Sequence, residues 1–221
     1  MHSLNDIVIL VGTGFIILSV IVALYYRKKV TFSYLKNFYI ITFITFIISI
    51  NAICGFLLGL YSKQIYISIQ NIFFIIDLIF WGFFFLGLLK LNQKYVRVVF
   101  IFFLFFVIAL RLYTGINTSY FQIHSISNFC KLIFCVFYFD ELFKSNLRLN
   151  LKTDPGFWIV TGVFFYTAIS FPVYAIHNYL RDTFGEVIAG NIFAVTNITI
   201  IIMHLLFIKA YICSSQQRKI S

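Results

Sequence analysis

Hydrophobic residues in this chain come in long runs rather than in alternation. Seven apolar stretches, at about 7–26, 37–60, 65–89, 95–112, 119–142, 156–179 and 187–212, are separated by short polar or charged connections. Apolar runs of about 18 residues or more with few charges read as transmembrane helices. The pattern therefore predicts an all-α polytopic membrane protein. It would be a single seven-transmembrane helix bundle with no soluble domain, no Ser/Pro/Gly-rich linker and no internal repeat. The first run is expected to be an anchor rather than a cleaved signal peptide. The leading MHSLND has no Lys or Arg, and the basic cluster Arg27, Lys28, Lys29 follows the run instead.

Local signals refine this layout. Thr153 or Asp154 can cap the sixth helix, with Pro155 in its first turn, where a missing N–H costs nothing. Trp158 then falls at interface depth. Pro172 is expected to kink the same helix in its outer half and free a backbone carbonyl. Gly55 and Gly59 form a GxxxG pair in the second run, a spacing that allows close helix approach.

Composition agrees with the pattern. The chain is 62% hydrophobic and 11% charged, against about 45–50% and about 25% in soluble domains. A net charge of +10 would point to nucleic acid in a soluble protein, but here most of the basic residues flank the apolar runs. Twelve of them (Arg27, Lys28, Lys29, Lys36, Lys90, Lys94, Arg97, Lys144, Arg148, Lys152, Arg218 and Lys219) fall on one side of the predicted layout; three (Lys63, Arg111 and Arg181) fall on the other. That asymmetry predicts the N-terminus outside and the C-terminus in the cytoplasm, with the protein multi-pass in the cell inner membrane and in contact with membrane lipid. No basic-aromatic surface motif points to nucleic acid. The cysteines Cys54, Cys130, Cys135 and Cys213 lie in or just past apolar runs, which predicts neither a disulfide framework nor a zinc site.

Polar residues inside the runs carry the remaining information. Lys131 sits near the middle of the fifth run, where a charge costs at least about 2.5–3.5 kcal/mol. Asp77 is the one mid-membrane carboxylate, about 12 residues into the third run, and Lys131 is about 12 into the fifth. Both runs are predicted to cross in the same direction, so equal depth makes them an expected intramembrane ion pair. His124, Asn128, Lys131, Cys135 and Tyr138 share a helix face, and so do Gln70, Asp77 and Trp81. Asn51, Gln70, His124, Asn128, Tyr166, Ser170, His177 and Asn197 all fall in the predicted outer half or near its boundary. They are the candidate lining of an outward-facing pocket, with Tyr166, Ser170 and His177 assigned to the sixth run. The simpler reading is that such residues bond helix to helix, worth about 0.6 kcal/mol each on average. The fourth run, VVFIFFLFFVIAL, has no polar face and is expected to face lipid.

No HExxH, GxSxG or clustered metal-ligand set occurs, so no catalytic residue, metal or cofactor is expected. Retinal is disfavoured because the last run offers only Lys209, near its cytoplasmic end.

The seven-run layout, with a basic loop leading into DPGFWIVTGVFFY and the local mark Phe157-Trp158, resembles the seven-helix membrane modules of bacterial sensory proteins. It is most similar to the aromatic-rich modules of Bacteroidota histidine kinases and their stand-alone relatives. The resemblance implies a non-enzymatic sensory or accessory module. Since no kinase follows the last run, such a module would signal through a cytoplasmic or membrane partner. Two alternatives stand beside it: a transporter of a small solute or lipid, and an intramembrane lipid-modifying enzyme with His177 and Asp77 as its most reactive groups.

Overall fold

The computed structural model describes residues 4–30, 33–36, 38–54, 62–90, 93–115, 121–144 and 151–217. All of its regular structure is helical: α1 (Leu4–Tyr26), α2 (Ser33–Lys36), α3 (Phe38–Ala52), α4 (Lys63–Leu88), α5 (Gln93–Thr114), α6 (Phe121–Lys144), α7 (Pro155–Ala175) and α8 (His177–Gln217). Five segments are long and apolar enough to cross a membrane: Ile7–Tyr26, Gln64–Leu88, Gln93–Thr114, Pro155–Ala175 and Val187–Ser215. This is a helical membrane protein. Among the described residues α3 is shorter, and α6 is long enough but more polar, with Gln122, His124, Asn128 and Lys131 along it. Gly55 and Gly59 lie outside the described residues.

Helix ends follow local chemistry. Ser62 caps α4 by accepting from the Ile65 N–H at 3.4 Å. Asp154, rather than Thr153, caps α7, accepting from the Gly156 and Phe157 N–H groups at 3.0 and 3.3 Å with Pro155 in the first turn. One expectation changes at the other end of α7. Pro172 sits in its last turn, four residues before the C-cap Ile176, whose N–H donates to the Pro172 carbonyl. The proline thus lies inside the predicted outer half of α7, close to its end. The chain turns at Ile176, so His177 and Asn178 open α8 and do not continue α7. The predicted gap between the sixth and seventh runs is itself helical, broken only at Gly185 (φ 84°, ψ 167°), a backbone state that side chains disfavour.

Six helices close into a ring by successive pairing: α1 on α3, α3 on α4, α4 on α6, α6 on α7, α7 on α8, and α8 back on α1. α5 packs outside this ring against α4 and α6. Its outward face exposes Val98, Phe102, Phe105 and Leu112, as a lipid-facing helix would, and its inward face buries Val96, Phe100 and Val107. One polar group departs from the reading of α5 as featureless. Arg111, counted above with the basic residues of the opposite side, is buried and donates to Asn71 Oδ1 at 2.7 Å and to the Gly115 carbonyl at 3.1 Å.

The helices bring their ends together in two sets. At the basic end, the Lys90 N–H donates to Glu141, the Tyr138 hydroxyl donates to Asp154, and Trp158 Nε1 donates to the Lys152 carbonyl, each bond within 3.0 Å. Beside them, burial and the Asp154 carboxylate push the Tyr34 phenol above its ordinary range. This half of the bundle is packed with rings. Phe38 lies 4.9–6.0 Å, centroid to centroid, from Trp81, Phe84, Phe207 and Tyr211, and Phe85 lies 5.3 Å from Phe134. These separations are typical of favourable aromatic pairs.

Small residues set the closest approaches. A Cβ at Gly162 would stand 3.3 Å from the Met203 carbonyl oxygen and 3.4 Å from its Cα, so α7 and α8 meet almost backbone to backbone. Gly162→Val is expected to cost about 1–3 kcal/mol by overpacking, read as a lower unfolding temperature of the purified protein in detergent. A substitution with no effect would contradict this packing.

Candidate functional site

The end of the bundle opposite the basic one is not filled in the same way. A cavity of about 780 Å³ lies inside the ring, and all six ring helices line it while α5 does not. Its walls come from residues 8–16 of α1, 45–49 of α3, 66–81 of α4, 121–131 of α6, 163–174 of α7 and 177–203 of α8. Each of these is the half of its helix that points away from the basic end. Most of the lining is apolar or aromatic, with a few convergent polar groups, which is the usual make-up of a small-molecule site; such sites run from about 300 to 1,000 Å³.

The floor is charged. Lys131 Nζ is paired with Asp77 Oδ2, both residues are at most 7% exposed, and both line the cavity. The indole of Trp81 lies 5.9 Å from the ammonium and is the innermost lining group of α4. Beyond it stands the aromatic packing around Phe38. A carboxylate and an ammonium at this depth stabilise each other only as a pair, because each alone would be a charge without water.

Above the floor, His124 Nε2 lies 3.0 Å from the Tyr166 hydroxyl, and the His124 ring packs against Phe74 and Tyr174 at 4.1 and 3.9 Å. Three lining groups, Gln70, His124 and, at the mouth, His177 through its Nδ1, keep unused hydrogen-bonding capacity. Gln70 Oε1 and His124 Nδ1 are buried and have no hydrogen-bond partner among the described residues, with Gln70 2% and His124 4% exposed. Buried polar groups are nearly always satisfied, so such atoms beside a cavity call for an explanation. At the mouth, His177 packs on Phe121 and Phe193 with centroids 3.6 and 4.6 Å away, next to Arg181, which pairs with Asp182 at 3.0 Å.

No protein-family model, curated protein or solved structure matches this chain.

The residues expected to line a pocket divide into two groups. Gln70, His124, Tyr166, His177 and Asn197 line the cavity. Asn51, Asn128 and Ser170 are buried but do not line it. Asn128 Nδ2 donates to Ser170 Oγ at 2.9 Å and so stitches α6 to α7 behind the wall. Nearby, the Ser125 hydroxyl donates to the Phe171 carbonyl at 3.3 Å, one residue before Pro172. His204 plays a packing part too: its Nδ1 lies 2.7 Å from Ser19 Oγ, fully buried between α1 and α8. The Ser19 hydroxyl donates to the Ile16 carbonyl, which leaves His204 Nδ1 as the donor to Ser19.

Several lining residues had not been singled out from the sequence: Thr13, Thr45, Ser49, Tyr66, Tyr174 and Arg181. Three of the omissions had a readable signal. Tyr174 continues the four-residue spacing of Tyr166 and Ser170, and Thr45 and Ser49 repeat it on α3. Among the described residues, no group of His, Cys, Asp and Glu is arranged to hold a metal ion, and all four cysteines are free thiols.

Proposed function

We propose that the chain is a seven-span inner-membrane protein, N-terminus outside and C-terminus in the cytoplasm, acting as a non-enzymatic sensory or accessory module. In this reading the cavity opens to the outside, takes a ligand, and passes the change through α6, α7 and α8 to a cytoplasmic or membrane partner. One observation carries it: the cavity occupies one half of the ring and is backed by dense aromatic packing in the other half. A receptor needs a pocket open on one side only. The distribution of basic residues supports a cytoplasmic side for the packed half.

A transporter must expose its site to both sides in turn. That would call for a polar route toward Lys94 or Lys152, whereas the lining ends at Trp81, Val163 and Met203. The lipid-modifying enzyme fares less well. Of its two candidate groups, Asp77 is engaged by Lys131 at the floor and His177 is packed between rings at the mouth.

The orientation can be checked with reporter fusions. A fluorescent protein that matures only in the cytoplasm, fused after residue 90, after residue 144 or at the C-terminus, is expected to fluoresce. Fused after residue 115, it should stay dark, and an exported phosphatase at that site should be active. The reverse pattern would overturn the orientation and with it the outward-facing pocket.

A further inference from the structure

The proposed pocket has a chemistry of its own, and this inference rests on reading the cavity as a ligand site. We infer that it takes an uncharged amphipath whose polar head is a hydroxyl, seated on Gln70 and His124 above the Asp77–Lys131 floor, with its apolar body along the aromatic wall. The unpartnered Gln70 Oε1 needs a donor, and a hydroxyl supplies one. The same hydroxyl oxygen can accept in return from His124 Nδ1, in the tautomer that carries hydrogen there.

Charge decides against the other heads. Asp77 and Lys131 are opposite and paired, so the floor is neutral as it stands. A carboxylate head would compete with Asp77 for Lys131 and leave one negative charge in excess at a depth where charge is costly. An ammonium head would do the converse. A hydroxyl adds hydrogen bonds and no charge. Phe74, Tyr174 and Phe193 give the rest of the molecule an apolar wall above this floor.

The test uses three probes with one chain length: dodecanol, dodecanoate and dodecylammonium. Each is titrated into the purified full-length protein while the unfolding temperature is followed, with the lipid-facing variant Phe105→Leu as a control for effects on the detergent. Dodecanol is expected to stabilise the wild type and the control more than either charged probe does. Gln70→Leu should weaken dodecanol roughly tenfold, the loss of one good hydrogen bond. Gln70→Glu should shift the preference to dodecylammonium by adding one negative charge to the wall above the neutral floor, a result that simple misfolding would not produce. Monoolein carried in lipid nanodiscs separates delivery from the bilayer from delivery through water; stabilisation by either route supports the head chemistry. Equal or stronger stabilisation by dodecanoate or dodecylammonium in the wild type, or dodecanol binding unchanged in both Gln70 variants, overturns it. If dodecanoate proves the better probe and still depends on Gln70, the cavity remains a ligand site and only the head assignment falls.

Discussion

Asp77→Ala is expected to be among the most damaging single substitutions in this chain. It leaves the Lys131 ammonium, nearly inaccessible to solvent, without its carboxylate. Breaking a buried pair from one side costs about 3–5 kcal/mol. At roughly 2–4 °C per kcal/mol for a protein of this size, the unfolding temperature should fall by roughly 6–20 °C. Lys131→Met removes the other partner and should act in the same direction. The informative variants are the doubles. Exchanging the charges, Asp77→Lys with Lys131→Asp, should restore part of the loss. Replacing both with apolar residues, Asp77→Leu with Lys131→Met, should restore most of it, because a neutral pair leaves no charge to solvate. Single variants as stable as the wild type would show that the pair does not hold α4 to α6. If the apolar double is stable but no longer responds to a ligand that stabilises the wild type, the pair serves the pocket as well as the fold.

The second large effect is expected at Phe38. Its ring is 1% exposed and meets Trp81, Phe84, Phe207 and Tyr211, so it joins the base of α3 to α4 and α8. Truncation of a buried Phe to Ala costs about 3–5 kcal/mol in soluble cores. In a lipid setting the hydrophobic share of this is smaller and the loss is mainly one of packing. Phe38→Ala should therefore fall toward the low end of that range, with Phe38→Leu milder. The variant should also extend the cavity toward the basic end, and a thiol placed at Gln70 should then become reachable from the cytoplasmic side. A destabilised Phe38→Ala with unchanged sidedness would mean that the ring cluster supports the fold but does not seal the cavity.

Much of this arrangement was legible before any coordinates. Long apolar runs mark helices because lipid leaves the backbone no partner but itself. Lys131 and Asp77 were paired on depth alone, and depth is readable because each residue of helix adds a fixed rise. α5 stands outside the ring, as its lack of polar residues suggested. The lining was harder to read, for a geometric reason. A helical wheel locates a residue to within several tens of degrees, and in a ring that is too coarse to separate the face toward the cavity from the seam toward the next helix. Asn128 is only three residues from Lys131, yet it turns to Ser170 on α7 while Lys131 reaches Asp77 on α4. The burial of Arg111 was not legible because it ends an apolar run, where a basic residue ordinarily marks the membrane edge; its partner Asn71 sits 40 positions earlier in the chain. His177 was assigned to the wrong helix because Ile176 turns the chain without a glycine or proline at the turn itself, and Pro172 gives its signal a full turn early.

The sidedness of the cavity tests the whole account most directly. In a background with Cys54, Cys130, Cys135 and Cys213 replaced, Gln70→Cys and Asn197→Cys place thiols on the cavity wall, Phe207→Cys places one in the aromatic packing, and Lys94→Cys marks the basic end. A membrane-impermeant maleimide is added to right-side-out and to inverted vesicles. The account predicts labelling of Gln70→Cys and Asn197→Cys from the outside only, of Lys94→Cys from the cytoplasmic side only, and of Phe207→Cys from neither. Labelling of Gln70→Cys or Asn197→Cys from the cytoplasmic side would contradict a pocket that opens only outward.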